Sequence, residues 1–460
     1  MTLSIDESAL IDAMIRKIAA HERHNETREH YYEGKIRTKD LNISVPPGLK
    51  LVNSVVGWPA VIVDVLEERL DFEGWIGGDS MGLTDIFRAN ELDLQSSQGH
   101  KDALIYGTGF IFVGKGMEGE PDPLITIESP QRATAVFDMR SKRPMAAILM
   151  DGDDDGWTGG SLYLQNETIQ FGIAANGSAV EISRDIHNLG RVPVAPLINN
   201  PRSGDPWGRS EITRAVMSYT DSAMRTLLGA EVAREFHASP QRYVLGADEE
   251  IFLDSDGNPR NPWSVIQGRV LGIPYNDDDG VMPQVGQFQA NSPAPYFDAI
   301  RSYAQLISAE AGIPPSYMGF QTDNPSSADA IRQMEARLVK RAERRQRQFG
   351  RAWNEVARLA VLVRDGSLPD SMGAVRPQWR DASTPTRAAA TDEVVKLIAA
   401  GVLIPDSKVT YSRIGFSDSD QELLSREKQI SGANATIRSL ATQATPGAAN
   451  LQAINRLTGA

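Results

Sequence analysis

Apolar residues recur at helical spacing near the start of the chain. Leu10, Ile11, Met14, Ile15 and Ile18 predict an amphipathic helix over 6–33, behind a polar start at Asp6. A second helix is predicted over 51–70, with Val52, Val55, Val56, Val61, Ile62 and Val65 on its apolar side. Pro59 marks a kink or a later start there. A third helix follows at 83–104.

From Thr108 to about Asn199 the pattern changes to short β-branched and aromatic runs between turn residues. The runs are Phe110–Val113, Leu124–Ile127, Ala133–Phe137, Ala146–Met150, Leu162–Leu164, Thr168–Ile173, Val180–Ile182 and Val192–Leu197. They predict a mainly antiparallel β region, with Asp151–Gly152, Asp155–Gly156 and Asn176–Gly177 as turns.

A loop at 199–208 precedes a long helix over 209–237, with Ile212, Val216, Tyr219, Ala223, Leu227, Ala230 and Ala233 in its stripe. Its length would be roughly 40 Å. Residues 238–292 are non-helical, with short strands at Gln241–Leu245, Trp263–Ile266 and Val270–Ile273. A second helix is predicted at 294–311, where Phe297, Ile300, Ala304, Ile307 and Ala311 repeat at the spacing of a helix–helix seam. The two apolar seams are narrow, and neighbouring copies could cover what the pair leaves open.

The loop from Gly312 to Pro325 leads into a helix over 327–363, roughly 55 Å long, with Ser326 and Asp329 as a capping box. The remainder is largely helical: one helix at 385–400, another at 419–440 opened by Ser419 and Glu422, and a poorly ordered tail after Ala441.

With 460 residues, the chain is long enough for roughly three structural units. A hydrophobic share of 41% with 23% charged residues supplies buried cores and excludes a disordered chain. Having no cysteine excludes disulfides, thiolate zinc sites and a cysteine nucleophile. Residues 1–35 are charged throughout, without a signal-peptide core. No run reaches the ~18 apolar residues of a membrane span. The net charge of −13 argues against a static grip on nucleic acid, which calls for a basic face.

Several local patterns carry candidate chemistry. Gly78-Asp-Ser-Met-Gly82 matches the G-x-S-x-G nucleophile elbow and would make the chain a serine hydrolase through Ser80. The preceding Asp71–Ile76 is a poor central strand, however, and the last histidine is His237. A turn before the next helix is the competing reading. Asp151–Gly156 opens like a calcium loop but has Leu162 at the twelfth position. The stretch 254–265 places Pro259 where glycine is required. Both read as acidic hairpin turns.

His21 with His24, and Glu26 with His30, share helical faces, and no metal is placed there. No P-loop or dinucleotide-binding glycine pattern occurs, so no catalytic residue, cofactor or metal is assigned. Lys340, Arg344, Arg347 and Arg351 align as one basic stripe on the long helix, and Arg337, Arg341 and Arg344 as a second. These stripes suit a solvated or intersubunit ion-pairing face, or contact with DNA.

Certain stretches resemble the portal proteins of long-tailed bacteriophages. They are Tyr106-Gly-Thr-Gly-Phe-Ile-Phe-Val113, Gly190-Arg-Val-Pro-Val-Ala-Pro196, Gly208-Arg-Ser-Glu-Ile212, and Gly312-Ile-Pro-Pro315 followed by Asn324-Pro-Ser-Ser-Ala-Asp-Ala330. The order of elements over about 30–430 is similar too. The resemblance implies an α+β ring subunit: a mixed α/β wing over 1–208, a stem of helices at 209–237 and 293–312, and a small β-rich clip at 238–292. It further implies a tunnel loop at 313–326, a long wing helix at 327–366, and a helical crown with a tail at 367–460.

Tyr317, Met318, Phe320, Gln321, Asp323 and Asn324 would then be candidates to face DNA. Val216, Tyr219, Ala223, Leu227, Phe297, Ile300, Ala304 and Ile307 would form the intersubunit stem contact. The family's implied partners are further copies in a ring, typically of twelve, and double-stranded DNA in the channel. The terminase large subunit, a head–tail adaptor, the major capsid protein and often scaffold complete the set, with no membrane. The location implied is the portal vertex of the virion, after assembly in the host cytoplasm.

Overall fold

The computed structural model describes residues 3–37, 54–153, 156–238, 242–245, 258, 282, 284–287, 292–319, 328–383, 387–416 and 420–431. Several expectations lie outside these residues. They are the start of the helix at 51, the turn at Asp155, the clip strands at 263–266 and 270–273, and the 254–265 loop. Ser326 of the capping box, the end of the last helix after 431 and the tail lie outside as well. The chain divides into one unit over 1–382 and a second over 383–460.

The first unit opens with α1 (Ile5–Tyr32), started by a capping box in which Ser4 Oγ accepts from Glu7 N and Glu7 Oε2 accepts from Ser4 N. Helix α2 (Trp58–Glu67) begins with Pro59 at its first turn, so the proline sets a later start than 51. Strand β1 (Phe72–Ile76) and a short turn follow. The helix predicted over 83–104 is two, α3 (Leu83–Ala89) and α4 (Leu92–Tyr106), because Glu91 adopts a left-handed conformation with φ 48°.

Eight strands occupy 108–198, as the alternation predicts, but they form two sheets. Strands β2 (Thr108–Gly114), β3 (Leu124–Glu128) and β9 (Val194–Ile198) pair in the order β3-β2-β9. Strands β4 (Ala133–Phe137), β5 (Pro144–Asp153), β6 (Gly156–Tyr163), β7 (Glu167–Ile173) and β8 (Ala179–Ile186) form an antiparallel meander.

The two-residue period sends Ala146, Ile148 and Met150 to one face of the meander, where Leu162, Ile169 and Phe171 join them against Ile11, Met14 and Ile18 of α1. Burying each large side chain there stabilises by ~1.5–3 kcal/mol. Ala147 lies on the other face with Ala133 and Ala135, against Phe110, Phe112 and Val194 of the smaller sheet. Arg184 on β8 clasps Glu7, Glu167 and Glu181 at 2.9–3.2 Å. The hydrogen bond from Arg184 is the main reason the Glu7 carboxyl is held down to about 2.

After a loop come α5 (Arg214–Ala238), β10 (Arg242–Leu245), β11 (Gln284–Gln287), α6 (Ala294–Ala311), α7 (Ala328–Asp365) and β12 (Arg376–Trp379). Helix α7 packs on β2, β9 and β12. At its centre Trp353 is fully buried, stacked on Phe72 at 4.3 Å, and its Nε1 donates to His100 Nε2 at 3.0 Å. His100 in turn stacks on Phe349 at 5.1 Å.

Strand β12 pairs antiparallel with β1, and Met372, Val375 and Ala382 enter the same core. The first unit therefore runs on past the long helix to Ala382. The second unit holds α8 (Arg387–Ala399), α9 (Lys408–Ile414) and a helix over 420–431. Short α9 was not foreseen; Ser407 caps it by accepting from Thr410 N. Arg413 pairs with Glu393 at 3.3 Å, and Lys428 with Asp406.

Candidate functional site

The site is built around α5, α6 and the segment that joins α6 to α7. Ahead of α5 the chain is folded back tightly on α4. Gly208 has φ 85°, and a Cβ there would collide with the carbonyl oxygens of Gly107 and Asn199. Arg209 N donates to Asn199 O, Asn199 N to Gly107 O, and Glu211 N to Leu104 O.

These bonds fix Glu211, which is buried beside Arg345 (Nη2 at 2.6 Å, Nε at 3.2 Å), Arg341 and Asn199 Nδ2 at 3.1 Å. Burial works to raise the Glu211 carboxyl, and the two guanidinium charges outweigh it, so the group stays below the usual carboxylate range. Glu211 of the Gly208–Ile212 stretch and Arg341 and Arg345 of the basic run thus form one ion cluster joining the start of α5 to α7. The sequence showed both halves and gave no signal that they meet.

Helices α5 and α6 run antiparallel. Thr213 at the start of α5 donates to Glu310 near the end of α6 at 3.3 Å, while Gly229 further along lies against the Tyr296 ring at the beginning of α6. Val216, Ala223, Ile300, Ala304 and Ile307 are buried in the core of this single unit, with Tyr219 and Leu227 half-buried against it.

These five residues, expected at a seam between copies, are covered within their own chain. Phe297 is different: it is 55% exposed, as is Leu306 at 47%. The faces of α6 that remain open also carry Asp298 and Arg301, 3.7 Å apart.

Gly312 ends α6 in a left-handed cap at φ 66°, with its N–H on Ser308 O. Ile313 is buried, and a single tight turn over Pro315–Met318 follows. Met318, one of the candidates to face DNA, points into the core at 5% exposure. The turn's geometry sends its thioether inward and leaves Tyr317 partly exposed.

The Tyr317 hydroxyl donates to Glu335 Oε1 at 2.8 Å and accepts from Arg69 Nη2 at 3.1 Å. Arg69 also lies 3.3 Å from Glu335 and donates to the Ala382 carbonyl at 2.8 Å. Burial, then the bond to Glu335, raises the Tyr317 phenol. This three-residue latch ties the root of the loop to α2 and α7, and sequence spacing gave no hint of it. Phe320, Gln321, Asp323 and Asn324 lie outside the described residues.

The other candidates are placed as follows. Ser80 is exposed on a turn between α3 and β1, and β1 belongs to a sheet of two strands, not the buried central strand that a nucleophile elbow requires. Asp151 and Asp153 belong to the β5–β6 ladder, paired with Gly159 and Gly156, which makes that stretch a hairpin end. Lys340, Arg344, Arg347 and Arg351 are all exposed on one face of α7. Among the described residues no group of three or more His, Asp or Glu could hold a metal ion, and no helix is long and apolar enough to cross a membrane.

Residues 15–435 match the family described as phage portal protein, SPP1 Gp6-like. The chain is 33% identical over 435 residues to the portal protein of Mycobacterium phage D29, covering 92% of this chain and 88% of that one. It is 34% identical over 416 residues to the portal protein of Mycobacterium phage L5, covering 86% and 83%. Among solved structures, a chain of the native gene transfer agent virion aligns at 14% identity and TM-score 0.46, over 85% of this chain and 93% of that one. A chain from the neck of the native gene transfer agent particle, computed with C12 symmetry, aligns at 14% identity and TM-score 0.42, over 78% and 89%.

Proposed function

The chain belongs to the SPP1 Gp6-like family of phage portal proteins, and on that footing we propose that copies of it close into a ring of twelve around a hole that passes double-stranded DNA. The observation that carries this reading is the family match over residues 15–435, which takes in the α5–α6 pair, its insert, the loop and the long helix. The role is structural, not catalytic. It replaces the hydrolase reading, because Ser80 occupies a surface turn.

In this reading the two-sheet part with α1 to α4 and α7 is the wing. Helices α5 and α6 are the stem, the insert between them the clip, the segment after Gly312 the tunnel loop, and the second unit the crown. The clip meets the terminase large subunit during packaging and the head–tail adaptor afterwards. The wing meets the major capsid protein and, during assembly, scaffold. Assembly takes place in the host cytoplasm, and the finished ring sits at the portal vertex of the virion.

The physical logic is one of low adhesion. Duplex DNA carries a charge every ~1.7 Å of axis, so basic contacts multiplied around a ring would hold it. The described root of the loop, Ile313–Gly319, has no charged residue, and the chain as a whole is acidic at −13. The loop's first aromatic hydroxyl is already spent on Glu335 and Arg69. Such a constriction touches DNA without trapping it.

Light scattering on the purified protein tests the ring. A species of roughly 600 kDa is expected, twelve times the 50.2 kDa chain. A 50.2 kDa monomer at every salt concentration would overturn the proposal.

A further inference from the structure

Helix α7 carries two basic faces that the fold treats differently. Arg341 and Arg345 turn inward and are consumed by Glu211. Lys340, Arg344, Arg347 and Arg351 lie roughly 60° or more around the helix from those two and line up over roughly 16 Å of its length. All four are exposed. None has a carboxylate within salt-bridge distance among the described residues; the Arg347 Nε donates only to the Glu343 carbonyl, at 3.2 Å.

Like charges three or four positions apart repel on a helix. The lone chain therefore sets Lys340 against Arg344, Arg344 against Arg347, and Arg347 against Arg351, with Glu343 the one carboxylate inside the stretch and in no salt bridge among the described residues. This happens on a molecule with 60 acidic and 47 basic residues, where counter-charge is abundant. Exposed carboxylates are present as well: Asp85, Glu91 and Asp93, where α3 meets α4, form no salt bridge with another described residue.

We infer that the Lys340–Arg351 stripe is one half of the contact between adjacent copies, covered by the carboxylates of a second copy of this chain. The inference rests on the ring reading above and extends it by naming a surface. Two arguments favour a copy of the chain over DNA. Each copy brings a surplus of negative charge to any such contact. A lumen lined by four cations per copy would also add many phosphate contacts and hold the duplex against sliding.

Rings co-assembled from isotopically light and heavy copies, treated with a zero-length carbodiimide, test this directly. Cross-links between Lys340 and an Asp or Glu of the other isotope are expected, and they should disappear in Lys340→Arg. Charge reversal in Arg344→Glu/Arg347→Glu should raise the concentration for half-assembly at least tenfold at low salt while circular dichroism stays that of the wild type. The milder Arg344→Gln/Arg347→Gln should shift it in the same direction.

Wild-type rings with no inter-copy Lys340 cross-link would overturn the inference while leaving the ring intact. So would reversal variants that assemble normally. Variants that assemble normally but lose duplex DNA binding would assign the stripe to DNA instead. Wild-type protein that never assembles would sink the ring itself, a distinct result.

Discussion

The Arg345 guanidinium lies 2.6 Å from the Glu211 carboxylate, 134 positions apart in sequence, with both side chains at 7% exposure or less. It joins the start of α5 to the middle of α7. Removing one partner from a buried pair leaves a stranded charge and costs ~3–5 kcal/mol. Glu211→Gln should therefore lower the melting temperature sharply. Glu211→Leu combined with Arg341→Met and Arg345→Met should recover most of the loss, because no charge is left buried. Calorimetry on the wild type and these two variants checks both.

The same carboxylate has a pH signature. Its folded value is held below the ordinary range, so its contribution is present above the unfolded value of about 4.3. That contribution is lost as pH falls through the lower folded value. Urea midpoints measured down the acid range should fall more steeply for the wild type than for the triple apolar variant.

His100 titrates with a different window. Burial pushes it down to about 3 from an ordinary 6.5, and its Nε2 must stay unprotonated to accept from Trp353. The unfolded chain binds the proton first. Stability is therefore whole above pH 6.5 and falls towards pH 3, at up to about 1.4 kcal/mol per pH unit. His100→Asn keeps an acceptor and should flatten urea midpoints across that window while lowering stability at pH 8, where the stacking on Phe349 is lost.

Tyr317→Phe removes the hydroxyl that bridges Arg69 and Glu335 and should loosen the loop root without unfolding the unit. A hydrogen bond to a charged group contributes ~1.5–3 kcal/mol. Amides of 313–319 should then exchange at least tenfold faster by hydrogen-exchange mass spectrometry, while those around Trp353 stay protected. Unchanged exchange would mean that the latch does not hold the loop.

At Gly208 a side chain has no room, and φ 85° is unfavourable for any residue with a Cβ. Gly208→Ala should destabilise by ~2 kcal/mol or more. Gly190, also at positive φ but with open space around it, should show a smaller loss on the same substitution from backbone strain alone. Thermal melts of the two variants make the comparison.

The strands over 108–198 were readable because residues such as Ala146, Ile148 and Met150 alternate against Ala147 between turns. The pairing of Phe72 with Trp379 was not, since nothing local marks a partner three hundred positions away. Helices α3 and α4 looked continuous because Glu91 is an ordinary residue that takes a left-handed conformation under tertiary constraint. The seam of α5 and α6 was legible as apolar, yet spacing alone cannot say whose surface covers Val216 or Ile307. Folding puts that cover in the same chain and leaves Phe297 and Arg344 exposed. The latch of Tyr317 and the cluster at Glu211 depend on side chains far apart in sequence, which no motif records.

The central claim is that copies of this chain enclose a hole. Single-particle imaging of the purified, DNA-free protein tests it most directly. The account predicts annular particles in which α5 and α6 of every copy stand around an open lumen, with the Lys340–Arg351 face of α7 covered by a neighbour. Isolated globules with no lumen, or closed assemblies with that face bare, would contradict it.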